Sequence, residues 1–215
     1  ATLKGLVCLI TGASRGIGRA IARAVSGAGA AVAVNYHQSE QAALTLEDEL
    51  IAGGAQAMAI KADVSNGRLV EDMFLRVEDR LGPVDLLVNN AGIAFKGLLT
   101  DTRDEDWARL MAVNLTGPFL CSRRALPAMI SKRFGRIVNI ASMQGVCGAS
   151  CEAAYAASKG GLIALSKSLA SEVGPSGITV NAIAPGPVLT DMLCRDMDEG
   201  EMGDLLSLLP VGRWG

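Results

Sequence analysis

Six short apolar runs, separated by longer stretches of helical spacing, constrain this chain more than any other feature. The runs fall at residues 6–10, 31–34, 57–60, 86–88, 137–140 and 179–183. They are continuously apolar rather than alternating, which suits strands covered on both faces. Helical stretches are expected over 17–26, 40–52, about 69–80, 104–131 and 153–172. This alternation predicts βαβ units and an α/β fold, a doubly wound parallel sheet with helices on both faces. The 215 residues fit a single domain, with no internal repeat or linker to divide it. In such a sheet ligands collect at the carboxyl ends of the strands, near the point where strand order reverses. The residues that follow each strand therefore carry the functional reading.

Composition removes several classes of function. The net charge is −2, and basic residues adjoin only as Arg123-Arg124 and Lys132-Arg133, so a nucleic-acid footprint is absent. No apolar run approaches the roughly 18–20 residues that cross a bilayer. His37 is the single histidine, which excludes sites needing two. The five cysteines (Cys8, Cys121, Cys147, Cys151, Cys194) form no CxxC pair, so no metal site is expected. An odd cysteine count without a secretory leader fits a reducing cytosol, and the expected location is cytoplasmic. The cysteines read as small core hydrophobes; Cys147, between two candidate catalytic residues, is the one to test for reactivity.

Between the first strand and its helix the chain reads TGASRGIG, residues 11–18. Gly12, Gly16 and Gly18 depart from the GxGxxG order. The physical requirement is similar, since bare backbone can approach a pyrophosphate and the helix N–H groups favour its charge. Asn89-Asn90-Ala91-Gly92 follows the fourth strand. Tyr155 and Lys159 lie four apart on a predicted helix and so share a face. An ammonium beside a phenol favours the phenolate, moving a poor base toward working pH. Taken alone, such a pair reads better as an exposed tyrosine and a solvated lysine on a surface helix.

These motifs, in this order, resemble the short-chain dehydrogenase/reductase family over nearly the whole chain. The resemblance implies a Rossmann-type sheet and hydride transfer between a nicotinamide cofactor and a carbonyl or secondary alcohol. It assigns Ser142, thirteen residues before Tyr155, to hold the substrate oxygen, and Tyr155 to exchange its proton. Lys159 would tune Tyr155 and bind the nicotinamide ribose. Asn114 would hold a water in a proton relay reaching Lys159. The cofactor would lie on Gly12, Ser14, Arg15, Gly16, Ile17 and Gly18, with Asp63 meeting the adenine amino group and Val64 packing on the ring. Asn90, Ala91 and Gly92 would line its ribose side. Pro185, Gly186, Val188 and Thr190 of a PGxxxT segment would cover the nicotinamide.

NADP(H) is the expected cofactor, with NAD(H) as the alternative. Tyr36 occupies the position where NAD-binding members carry an acid. Arg15 matches a basic position common among NADP-binding members, and Asn35 and His37 are candidate donors to a 2′-phosphate.

Within the family the pattern most resembles 3-oxoacyl-[acyl-carrier-protein] reductases. That makes an acyl thioester the expected substrate and acyl carrier protein a candidate partner. Arg133 matches a carrier-binding position near the entrance, but Ser176 replaces a second basic residue. The flap expected over 187–209 carries Asp196, Asp198, Glu199, Glu201 and Asp204, which would repel an acidic carrier, with Met192, Met197 and Met202 on its apolar side. Glu152 stands three before Tyr155 and would suit a hydroxylated or cationic substrate. A sugar or small secondary-alcohol dehydrogenase is the alternative within the family, and an idle dinucleotide-binding regulator the alternative outside catalysis. Family members continue for about thirty more residues, one helix and a seventh strand, so a truncated C-terminus and an exposed sheet edge are expected. A homotetramer or dimer is expected, pairing Trp107, Leu162, Leu165 and Leu169 across a two-fold.

Overall fold

The computed structural model describes residues 2–196, 199–207 and 209–215, apart from the side chains of Met192, Arg195, Asp196 and Glu199. Strands β1 (Val7–Ile10), β2 (Ala31–Tyr36), β3 (Ala57–Lys61), β4 (Leu86–Asn89), β5 (Gly135–Ile140) and β6 (Ile178–Ile183) form one sheet. Its order is β3-β2-β1-β4-β5-β6, and every pairing is parallel. Strand order reverses between β1 and β4, which places the switch point at their carboxyl ends.

Strand periodicity divides the interior into two layers. On β1, Val7 and Leu9 enter one core cluster while Cys8 and Ile10 enter the other. Helices α1 (Gly16–Gly27) and α2 (Glu40–Ala52) close the Cys8 face with Ala22, Ala43, Leu46 and Leu50. Helices α3 (Gly67–Arg80), α5 (Gly117–Lys132) and α7 (Ala153–Val173) close the other with Phe74, Cys121, Met129 and Val173. Cys8 and Cys121 are sealed in these two layers, and burial pushes each thiol up to about 12.

The helix expected over 104–131 is interrupted. Helix α4 (Asp104–Met111) passes into five residues of π-helix, Ala112–Thr116, before α5 begins. The Gly117 N–H reaches back to the Ala112 carbonyl. Pro118 has no N–H, so the Asn114 carbonyl loses its i+4 donor. Pro127 lies inside α5 without such a bulge, so proline alone is not the cause. The side chain of Asn114 holds the segment from outside, through bonds described below.

Two strands run past their apolar stretch. Polar Asn35 and Tyr36 still pair with Ile60 and Lys61, and Gly135 and Arg136 open β5. The sequence also gives no sign of the short helix α6 (Gln144–Cys147). The flap contains α8 (Asp191–Asp196) and α9 (Glu199–Ser207); expectations on Met197 and Asp198, and on the side chains of Met192, Asp196 and Glu199, fall outside the described residues. β6 is an edge strand, with Thr179, Asn181, Ala182 and Ile183 exposed. Among the described residues no helix is long and apolar enough to cross a membrane.

The assignment of Leu162 to a subunit interface is corrected. Leu162 is buried within its own chain, and Leu169 packs against the core. Trp107 does remain exposed, as does Phe119 on the neighbouring helix.

Candidate active site

The carboxyl ends of β1 and β4 are stitched together by the residues that follow them. Thr11 Oγ1 accepts the N–H groups of Asn90 and Ala91, each at 3.0 Å. Asn90 Nδ2 donates to the carbonyls of Thr11 and Gly12, each at 2.9 Å. Gly12 has φ +61°, and a Cβ there would lie 2.8 Å from Ala91 Cα; a Cβ on Gly18 would lie 2.5 Å from Asn90 Nδ2. Glycine is thus required for the two loops to close. Arg15 precedes α1 in extended conformation, and no side chain caps the first turn. Ser14, beside this first turn, is buried. An uncapped first turn behind bare backbone fits the diphosphate of a dinucleotide.

At the β2 end two expectations change. Asn35 is not a free donor. Its Nδ2 is spent on the carbonyls of Ala62 at 3.1 Å and Ile60 at 3.3 Å, and its Oδ1 accepts Gly12 N–H at 3.2 Å. Tyr36 does not face the cleft either; it is buried, and its hydroxyl donates to Glu40 Oε1 at 3.1 Å. Arg15 and His37 remain, with Arg15 Nη1 4.0 Å from Asp191 Oδ2. Asp63 follows β3 as expected. Its Oδ1 accepts from Ser65 N–H at 2.9 Å and Ser65 Oγ at 2.6 Å, and its Oδ2 from Arg109 Nη1 at 3.1 Å. Burial opposes ionisation of Asp63, but the Ser65 bonds and Arg109 outweigh it and hold the carboxyl below its usual range. The Val64 side chain is buried and braces Gly117, where a Cβ would lie 2.9 Å from Val64 Cγ2.

The four candidate catalytic residues converge beside this cleft. Ser142 follows β5, and Tyr155 and Lys159 lie one turn apart on α7. The Ser142 hydroxyl donates to Gln144 Oε1 and stands close enough to the Tyr155 phenol to act on it. Lys159 is buried; its Nζ donates to the Ile140 carbonyl at 2.8 Å and stands 5.9 Å from the Tyr155 ring centre. A Cβ on Gly92 would lie 3.4 Å from both Lys159 Nζ and Asn114 Oδ1, so the NAG turn brings these groups together. Asn114 is fully buried. Its Oδ1 accepts Ile93 N–H at 2.9 Å, and its Nδ2 donates to Ile93 O at 2.9 Å and Ser158 Oγ at 3.1 Å. Both donors of that amide are spent, and its Oδ1 keeps one lone pair. The backbone carbonyl of Asn114, deprived of its i+4 donor by Pro118, is a second acceptor at the same place.

The expected acidification of Tyr155 by Lys159 is not met. Burial pushes the phenol above its ordinary value; the Ser142 hydroxyl opposes this, and the Glu152 carboxylate adds to it. Burial lowers Lys159 to about 8. The ammonium is directed at the Ile140 carbonyl rather than the phenol oxygen, so desolvation governs both groups. Tyr155 is held as a neutral phenol, a proton donor toward a carbonyl oxygen.

The segment after β6 crosses this cleft. Met143 N–H donates to Pro185 O at 3.0 Å. Thr190 Cγ2 would lie 3.4 Å from a Cβ on Gly16, so the flap spans from the serine to the glycine turn. Lys96 Nζ pairs with Glu201 Oε1 at 3.1 Å, and Gly97 N–H bonds Cys151 O at 2.7 Å, which closes the rim. Arg133 is not near this entrance. It bonds Pro175 O before the amino end of β5, about 20 Å of strand away from Ser142. Gln144, Ser158 and Arg109 belong to the site although sequence reasoning missed them; the one signal was that Ser158 directly precedes Lys159.

A doubly wound parallel sheet with this serine–tyrosine–lysine cluster beside its switch point defines an α/β oxidoreductase. The family model for short chain dehydrogenases matches residues 6–199, and the chain belongs to that family. It is 41% identical over 213 residues to a 3-oxoacyl-[acyl-carrier-protein] reductase of Synechocystis sp., covering 99% of this chain and 85% of the relative. A 3-oxoacyl-[acyl-carrier-protein] reductase of Escherichia coli K12 is 42% identical over 212 residues, with the same coverage. A dehydrogenase/reductase from Sinorhizobium meliloti 1021 superposes with a TM-score of 0.90 at 36% identity, covering 100% of this chain and 84% of that one.

Proposed function

We propose that this chain is an NADP(H)-preferring reductase of 3-oxoacyl thioesters. The observation that carries the reading is the half-buried phenol of Tyr155, set beside Ser142 and one helical turn from buried Lys159 at the glycine cleft. The bound nicotinamide supplies the hydride in reduction and accepts it in oxidation. Ser142 turns its hydroxyl from Gln144 to the substrate carbonyl oxygen and fixes it against Tyr155. Tyr155 gives its proton to that oxygen as negative charge develops there. Lys159 holds the nicotinamide ribose and passes a proton toward Tyr155, replenished through a water on the Asn114 carbonyl. Gly12, Gly16 and the first turn of α1 seat the diphosphate, Asp63 the adenine amino group, and Thr190 the nicotinamide side.

Preference for NADP(H) follows from the β2 end, where Tyr36 replaces an acid and Arg15 stands within the glycine turn. The identities to 3-oxoacyl-[acyl-carrier-protein] reductases favour a thioester substrate, delivered on acyl carrier protein in the cytoplasm. The exposed Trp107 and Phe119 favour assembly into a homotetramer or dimer. Glu152, whose carboxylate acts on Tyr155, favours one second reading, a dehydrogenase of sugars or small secondary alcohols.

The test is NADPH consumption with an acetoacetyl thioester, set against NADP⁺ reduction with a panel of secondary alcohols. Thioester turnover that falls about 10²- to 10⁴-fold in Tyr155→Phe, with cofactor binding retained, is the expected result. Turnover of alcohols alone moves the assignment to the second reading. Cofactor binding without turnover of either class sinks the enzymatic proposal.

A further inference from the structure

Arg109 lies in the last turn of α4, yet its side chain reaches across the cleft to the end of β3. Its Nη1 donates to Asp63 Oδ2 at 3.1 Å and to Ser65 Oγ at 2.9 Å. His37, just past β2, brings Nε2 to 3.7 Å from the same Asp63 oxygen. Two cationic or protonatable groups from opposite sides of the switch point thus converge on one carboxylate. β2 and β3 are neighbours, with Tyr36 opposite Lys61, so this carboxylate stands beside the place where an adenosine ribose must lie. The facing charges are Asp63, Glu40 and Asp191 on one side, Arg15, His37 and Arg109 on the other. Glu40 is occupied by the Tyr36 hydroxyl, and Asn35 has no donor to spare. Asp191 lies on the far side of Arg15, so Asp63 is the carboxylate closest to His37 on the β2–β3 side.

We infer that Arg109 is a specificity-determining residue for the adenosine end of the cofactor. Its guanidinium offsets the Asp63 carboxylate, so a 2′-phosphate entering beside His37 and Arg15 meets less negative charge. The same ion pair fixes Asp63 with one lone pair of Oδ2 to spare for an adenine amino group. This rests on the dinucleotide reading above and adds a residue on α4 to the selection between NADP(H) and NAD(H).

The experiment is equilibrium binding of adenosine 2′,5′-bisphosphate and of 5′-AMP to the whole chain, without turnover. Wild type should favour the bisphosphate. Arg109→Gln should reduce that preference about tenfold, the scale of one unshielded charge at several ångströms near a surface, while Arg109→Lys keeps it. Asp63→Asn on the Arg109→Gln background should restore it. Asp63→Asn alone should raise the preference, which tests the inference even if Arg109→Gln does not fold. An unchanged ratio in Arg109→Gln, or equal weakening of both nucleotides, overturns the role of Arg109 and leaves the dinucleotide reading standing. Failure of wild type to bind either nucleotide overturns both.

Discussion

Lys159 shows how a single side chain trades stability for chemistry. Its value in the folded chain is about 8, against 10.5 for an ordinary lysine. Below pH 8 it is protonated in both folded and unfolded states, and the fold bears a buried charge at a cost of about 3 kcal/mol. Between pH 8 and 10.5 the folded state releases its proton first, and the penalty fades. Replacement by methionine removes the charge but leaves the Ile140 carbonyl without its donor, which costs about 1 kcal/mol. Lys159→Met should therefore be inactive yet more stable by about 1–2 kcal/mol at pH 7. That advantage should shrink by pH 10.5, read from thermal unfolding at both pH values. The placing of Tyr155 and Lys159 together was legible because a four-residue spacing on a helix sets them on one face, whereas Ser142 came from the family resemblance. The direction of the Tyr155 shift was not legible, since it depends on where an ammonium points and how much water burial removes. Asn35 failed for the same reason: its type announces a donor, but only the fold reveals that Ala62, Ile60 and Gly12 already consume it.

The π segment is the element on which the proposed proton relay turns. It displaces Asn114 inward, where the side chain locks Ile93 to Ser158 and the carbonyl is left without an i+4 partner. Pro118→Ala would return that donor and favour a continuous α-helix. The expected outcome is a fall in kcat of tenfold or more, because small displacements of proton-relay groups are costly, with little change in nucleotide binding. Steady-state kinetics beside a nucleotide titration checks this. Sequence pattern predicted one helix over 104–131 because the apolar stripe continues through the bulge. One extra residue in a turn leaves no mark in composition, and Pro127 shows that a proline by itself does not reveal it. The sheet was far more legible, since every strand core is an apolar run. Strand ends such as Asn35-Tyr36 and Gly135-Arg136 were lost because polar residues join a ladder through backbone alone.

For the whole molecule, the division between interior and outer faces decided what could be foreseen. Both layers of the sandwich followed from continuous apolar strands. The exposed apolar face proposed to meet another subunit did not, because Leu162 and Trp107 both read as apolar positions on helices, and only packing separates them. Glutamate at both Trp107 and Phe119 should shift the assembly to monomers in size-exclusion chromatography while leaving the unfolding temperature within a few degrees. The two sealed cysteines offer a further use of this layered plan. Cys8 and Cys121 lie on opposite sides of the sheet, while Cys147 and Cys194 are exposed. An alkylating reagent should mark the exposed thiols at once and reach the sealed pair only as each half of the sandwich loosens. The order in which mass spectrometry finds Cys8 and Cys121 tagged would then tell which side of the molecule comes apart first.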